Sequence, residues 1–446
     1  MATEPRPSGP TASIRNPGGP LCDNGLAPDG PREKPLNVPE NPRLRPLDPQ
    51  WVEQQGRRYL YLRDPLGLSE RTVLVPQELT PLLALLDGTR DEAGIQASLA
   101  LRNGLQLSLS QVREFVAGMD TALMLESGTY RTAAAQALSE YREAGSRRPS
   151  RAGLVYPAGP SELAKIIEDY TSRAPADDPP LPASATLRGV VSPHIDYERG
   201  GETYARLWRM CAPALEEVEL VIVLGTDHAG SSGSLTLTRQ SYATPLGVLP
   251  TDREVVDGLA KVIGTERAFA EELHHVNEHS IELAAVWLHH YMGGRACPMV
   301  PVLCGSFKEF VESEREPDGD QVIGAALHYL KGMTAGRRTL VVAAGDLAHV
   351  GPAFGDATAV DGVGKAMLAA QDAESIAAIR RGDAAGFLGL SRAEQDRRNI
   401  CGLSPIYMAL KLIGEAAGES VGYAQCPADA TGGSLVSIVG AVLWEE

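Results

Sequence analysis

The sequence predicts an α/β protein: a central, mostly parallel sheet covered by helices, preceded by a small winged-helix-like domain. Two observations carry this. From about Arg151 onward, apolar runs of strand length ("LRGVVSPH", "ELVIVLGTDH", "PMVPVLCG", "TLVVAAGD", "SLVSIVGAVLW") alternate with helical stretches such as "EHSIELAAVWLHHYM" and "SPIYMALKLIGEAAG", the pattern of a parallel sheet buried on both faces. Upstream, residues 51–127 read instead as a strand pair followed by three short helices.

Residues 1–48 are rich in Pro, Gly, Asn and Asp, with no apolar period, and are expected to form a disordered tail. The small domain spans 49–130. In it "RRYLYLRD" alternates as a strand and "RTVLVP" returns. "QELTPLLALLDG" opens a helical stretch closed by Gly88. Thr89, with Glu92 three residues on, reads as a capping box for the next helix, and Ser108 or Ser110 opens another. Residues 131–150 read as a linker helix, and 151–446 as the α/β domain.

Length and composition narrow the function classes. The 446 residues allow more than one domain and a sizeable core. The net charge of −16 argues against nucleic acid or an anionic membrane as partner. The small domain has seven Arg against ten Asp+Glu over 51–130, which favours a peptide or protein contact over DNA. No segment has the roughly 18 uncharged apolar residues of a membrane span. "MATEPRPSGP" lacks the apolar stretch of a secretory signal. Six scattered cysteines without a CxxC read as reduced thiols in the cytoplasm.

Three apolar runs end alike. One leads to "SPHIDYERGG" and His194, a second to "GTDHAG" with Asp227 and His228, a third to "GDLAHVG" with Asp346 and His349. Sites in open α/β sheets form outside the carboxyl ends of strands, so the three loops are candidates for one pocket. Small residues after each strand let the backbone turn and leave the mouth uncrowded. In "NEHSIELAAVWL", His279 and Glu282 are three apart and share a helix face, with Glu278 where the helix begins. If "DLAH" starts a helix, Asp346 and His349 share a face too. Cys401 precedes Gly402 and a helix starting near Ser404 or Pro405, a placement that lowers a thiol pKa and suits metal ligation.

Each residue alone has a plain alternative: a loop histidine, a buried cysteine, a solvated glutamate. His274, His275, His289, His290 and His328 are read that way, with His289 and His290 at the negative end of a helix dipole. The recurrence at three strand ends is what points to a mononuclear transition metal. Asp227, Glu278, Glu282 and Asp346 are placed to orient imidazoles or to carry protons. Asp227 alternatively caps its turn. The patterns GxSxG and GxGxxG are absent, which disfavours a serine hydrolase and a dinucleotide site.

"SPHIDY", "LGTDHAG", "YATPLGVLPTD", "NEHSIELAAVWL", "MVPVLCG", "GDLAHVG" and "NICGLSPIYMAL" occur in that order, after "AGLVYPAGPSEL". Over residues 151–446 the chain resembles the Memo family, also called AmmeMemoRadiSam system protein B. The resemblance implies a fold similar to class III extradiol dioxygenases. It implies that His194, His228 and Cys401 bind one metal ion, iron or copper foremost and zinc as a further option. Asp346 and His349 would line the same pocket as catalytic groups. It also implies a radical-SAM protein and an AMMECR-type protein as partners. In "LLALLDGTRDEAGI" and "FVAGMDTALMLESG" the small domain resembles PqqD-like peptide-binding modules.

The chain departs from the family's "PHAGY" with Ile195 and Asp196, expected to add bulk and charge beside the first ligand. It has "RAGLVY" where "HAGSWY" is common. A thiolate in place of the carboxylate usual in non-haem iron oxygenases alters the metal and is itself oxidisable, so ring cleavage is not inferred. The expected function is a metal-dependent redox enzyme. The alternatives are a non-catalytic peptide- or protein-binding scaffold and a copper or iron chaperone.

Overall fold

The computed structural model describes residues 39–445. The expected tail at 1–38, with Cys22, lies outside the described residues. The chain divides into two compact units, one ending at Glu140 and one starting at Tyr141. The division falls inside the helix Gly128–Glu143, within the stretch read as a linker.

The first unit carries a three-stranded antiparallel sheet, β1 (Asp48–Gln54), β2 (Arg57–Arg63) and β3 (Val73–Pro76). β1 was not foreseen. Gln55 and Gly56, both at positive φ, make the two-residue turn that folds it onto β2. Residues 43–47, read as tail, pack here as well. Leu44 N–H donates to Leu86 O and Arg45 N–H to Met124 O, and Arg45 is buried against Asp64 at 2.7 Å. The helix Glu92–Asn103 is capped by Asp91, not Thr89, whereas Ser108 and Gln111 form the capping box of the helix Leu109–Thr121. Leu82, Ile95, Leu99, Val112 and Val116 close this unit's core.

In the second unit a short β4 (Ser146–Arg147) is followed by β5 (Thr186–Ser192), β6 (Leu220–Thr226) and β7 (Leu235–Leu237). Then come β8 (Ser241–Thr244), β9 (Gly247–Leu249), β10 (Met299–Cys304) and β11 (Thr339–Ala344). The last three are β12 (His349–Val350), β13 (Ala417–Pro427) and β14 (Leu435–Glu445). β4, β8 and β9 form a small sheet of their own. The main sheet is mixed. Its centre, β5-β11-β6-β10, is parallel, while β7, β12, β13 and β14 join antiparallel.

The uninterrupted apolar runs follow from burial on both faces. Along β6, Leu220, Ile222 and Leu224 enter one core while Val221 and Val223 enter the other, the two-residue alternation of a strand. Among the described residues no helix is long and apolar enough to cross a membrane.

Glycines at the carboxyl ends serve close approach. A Cβ on Gly225 would lie 2.6 Å from Ser280 Oγ and from Ile281 Cγ1, so glycine lets the helix Ser280–Tyr291 rest on the end of β6. Gly345 and Gly402 meet back to back. A Cβ on Gly345 would lie 2.5 Å from Gly402 Cα, and one on Gly402 would lie 2.5 Å from Asp346 O. Gly402→Ala is therefore expected to destabilise the fold by about 1–3 kcal/mol, as overpacking does. Gly389→Ala is the control: it lies in the helix Ala384–Ala393 with nothing within 4 Å of its Cβ position, and should be neutral or stabilising. Urea unfolding of both variants measures this, and equal midpoints would refute the packing account.

Candidate metal centre

Ser192, Ala344 and Gly225 pair across β5, β11 and β6 as one row at the carboxyl edge. The loops beyond them start level. His194 lies two residues past β5, His228 two past β6 and Asp346 two past β11. Cys401 arrives from another direction, just ahead of the helix Leu403–Ile413. Gly402 N–H donates to Asp346 O at 2.9 Å, and Thr226 Oγ1 donates to Cys401 O at 3.1 Å, which pins that loop between two strand ends.

His194, His228 and Cys401 each offer a ligand atom, and the three atoms lie within 4.8 Å of one another. His194 Nδ1 bonds Ala344 O at 3.1 Å, which leaves Nε2 facing Cys401 Sγ at 3.3 Å. His228 Nδ1 bonds Glu278 Oε2 at 2.9 Å, so its Nε2 is likewise free for a ligand bond. A tetrahedral ion with Zn-like N and S bond lengths of about 2.0–2.1 and 2.3 Å sets N and S roughly 3.5 Å apart. The donor set therefore fits a metal ion. His194 is buried, whereas the His228 side chain is 40% exposed, so the site opens to solvent on that side.

Charge around these atoms is balanced by neighbours. Burial opposes a charged His194, yet the Cys401 sulfur and the Asp346 carboxylate raise its pKa to about 9. The partial burial of His228 is outweighed by Glu278 and Cys401, and its pKa stands well above the ordinary imidazole value. Burial pushes the Cys401 thiol up, but His194 and His349 hold it well below its usual range. Glu278 is held well below the carboxylate range by His228 and His279 despite burial. Its Oε1 accepts the N–H groups of His279 (2.6 Å) and Ser280 (2.9 Å), and its Oε2 accepts the N–H of His228 (3.1 Å). Glu278 thus starts the helix Ser280–Tyr291 and orients His228 with one carboxylate. His279 completes the cluster: its ring stacks on His228 at 5.1 Å and meets His194 edge-on at 5.3 Å. Burial lowers its pKa, and the flanking histidines reinforce this.

The remaining predicted residues part ways. Asp346 is buried; its Oδ1 accepts His194 N–H at 2.8 Å, and Oδ2 lies 3.8 Å from His194 Nε2. His349, half-buried, groups with Asp346 and Cys401. The two do not share a helix face, because His349 begins β12 opposite Val436. Its Nδ1 bonds Leu347 O at 3.2 Å and its ring meets Phe354 edge-on. Asp227 orients an imidazole and also caps its turn. The imidazole is His274, at 2.9 Å, and the capped group is Ala229 N–H. His274 was read as bland; the Asp227 carboxylate raises its pKa against burial.

Glu282 does not join His194, His228 and Cys401. It is turned to Arg147, Tyr156 Oη and the N–H groups of Ser150 and Arg151. The shared helix face failed because His279 sits ahead of the helix while Glu282 lies inside it. Asp196, next but one to His194, caps the helix Tyr197–Leu215 and pairs with Arg199. His275 and His289 are core histidines, bonded to Tyr242 and Thr244.

The pattern of the Memo-like protein family matches residues 147–442. A MEMO1 family protein of Methanopyrus kandleri is 31% identical over 287 residues, 62% of this chain and 91% of that protein. One from Aquifex aeolicus is 26% identical over 321 residues, covering 72% and 78% of the two chains.

The charge balance yields a direct test. The other described cysteines are all buried and their thiols pushed up, to about 11 for Cys426. In a Cys22→Ser background, metal-free protein should therefore show one thiolate by ultraviolet absorbance at neutral pH. Cys401→Ser should abolish it, and His194→Ala should raise its midpoint. A Cys401 thiol titrating at the ordinary value in that background would contradict the ion-pair geometry.

Proposed function

This chain belongs to the Memo family, and on that premise we propose that it is a metal-dependent redox enzyme whose single ion, iron or copper, is held by His194, His228 and Cys401. The observation that carries the reading is the meeting of three ligand atoms, with both imidazole Nδ1 atoms already engaged elsewhere. A bound iron or copper ion would supply one-electron chemistry there.

The protein's residues do the rest. Ala344 O and Glu278 fix the two ring orientations and so aim both Nε2 atoms inward. Asp346 holds the His194 loop through its backbone N–H. His349, with Nδ1 engaged by Leu347 O, presents its other ring nitrogen to take or return a substrate proton. The exposed edge of His228 is the side from which a substrate enters.

The proposal extends to setting and company. All described cysteines are free, which supports a reducing cytoplasm. A radical-SAM protein and an AMMECR-type protein are the proposed companions, with the unit ending at Glu140 recruiting a peptide or protein. The partial exposure of His228 also suits a chaperone that passes its metal on. Retained metal with substrate turnover favours the enzyme; metal released to a chelator without turnover favours the chaperone.

Purified full-length protein should take up one equivalent of metal. The His194→Ala, His228→Ala double variant should bind more than about 100-fold more weakly, beyond the 10–100-fold usual for a ligand's outer partner. The imidazole protons of His194 and His228 must both leave for the Nε2 atoms to bind, so affinity should rise with pH from 6.5 through about 9. Metal binding unchanged in the double variant, or independent of pH between 6.5 and 9, would sink the proposal.

A further inference from the structure

We propose that Arg147 is a positioning residue of this centre, acting through the backbone of residues 274–282 on Glu278 and hence on His228. The inference rests on the metal reading above, and assigns a role to a residue outside the ligand set.

Arg147 lies in β4, at the start of the α/β unit, and its guanidinium is 1% exposed. Every nitrogen of it is used. Nε donates to His275 O at 2.7 Å, Nη2 to Glu278 O at 2.8 Å and to Ser150 Oγ at 3.2 Å, and Nη1 to Glu282. The Tyr242 ring lies beneath it, 5.0 Å from the guanidinium carbon. Tyr242 in turn bonds His275 Nδ1 at 2.6 Å.

The residues it holds need holding. A one-turn helix, His274–Asn277, ends at Glu278, whose extended backbone (ψ 131) turns the chain into the next helix at Ser280. Carbonyls at such a break have no continuing helix to donate to them. Arg147 supplies donors to two of them, and Arg151 Nη2 donates to Asn277 O at 2.9 Å. Glu278 is therefore fixed by its carbonyl on one side. On the other, its carboxylate holds His228 and the N–H groups of His279 and Ser280. Glu282, on the same helix, balances the charge.

Stability alone does not account for this arrangement. Replacing a buried ion pair by apolar groups of like volume is often neutral or stabilising, so the pair is a poor stabiliser. A planar fork with five fixed donors is, however, well suited to locking several acceptors in one geometry. A lysine ammonium cannot reproduce that fork.

The test uses full-length protein and Co(II) as the probe. Arg147→Lys should weaken Co(II) binding about 10–100-fold, the range for outer partners of metal ligands, and alter the Co(II) visible spectrum. Glu278→Gln should do the same. The double variant should be no weaker than Glu278→Gln alone, because both act through one path. In metal-free protein, Arg147→Lys should speed hydrogen exchange at the amides of His228, His279 and Ser280 and leave β6 protected.

If Arg147→Lys does not fold, Arg147→Met with Glu282→Gln removes both charges and should show the same local exchange and loss of affinity. Two results overturn the inference: losses that multiply in the double variant, or a lowered urea midpoint with wild-type Co(II) affinity and spectrum. If wild-type protein binds no Co(II), the metal reading fails by itself. The exchange data then still decide on Arg147, and unchanged exchange at those three amides rejects it.

Discussion

The shared register of three adjacent parallel strands governs what this protein presents at its surface. Because Ser192, Ala344 and Gly225 stand in one row, the loops after β5, β11 and β6 leave the sheet level with one another. A shift of one pair would turn each loop's first side chain to the other face. With the register kept, His194, Asp346 and His228 rise from neighbouring positions. Glycine lets the flanking backbone close in: Gly225 admits the helix that carries Glu278, and the Gly345–Gly402 contact brings Cys401 beside His194.

Electrostatics then decide which atoms face inward. Burying charge costs several kcal/mol per ion unless it is paired and hydrogen-bonded. Three carboxylates here are each paired to a different cation: Glu278 to His228, Asp227 to His274, Glu282 to Arg147. Two of those pairs involve Nδ1 of a histidine, which directs the other ring nitrogen. Among His194, His228 and Cys401, thiolate and imidazolium stabilise each other. A metal ion at the proposed centre would displace those same protons.

Much of this was legible in the chain itself, for identifiable reasons. Apolar runs long enough to be buried on both faces, each followed by small residues and a histidine or aspartate, mark strand ends in a parallel sheet. That signal found His194, His228 and Asp346. Cys401 was marked by its place before a helix. Side-chain direction was less legible. Glu282 shares three-residue spacing with His279, but Arg147, 135 residues away, sets where it points. His349 was read onto a helix because spacing alone does not reveal that the chain pairs with β14 there. Arg147 itself sits in "SRRPSR", where nothing separates a buried arginine from its exposed-type neighbours. β1 was missed because its residues are mostly polar and exposed, as suits the edge of a small sheet.

The central claim is that two imidazoles and one thiolate converge on a single ion. X-ray absorption at the metal edge of iron- or copper-loaded protein measures this most directly. The account predicts one sulfur scatterer near 2.3 Å and two imidazole nitrogens near 2.0–2.1 Å, roughly the distances such ligands adopt, with the sulfur shell lost in Cys401→Ser. A shell of oxygen and nitrogen alone, unchanged by that substitution, would contradict it.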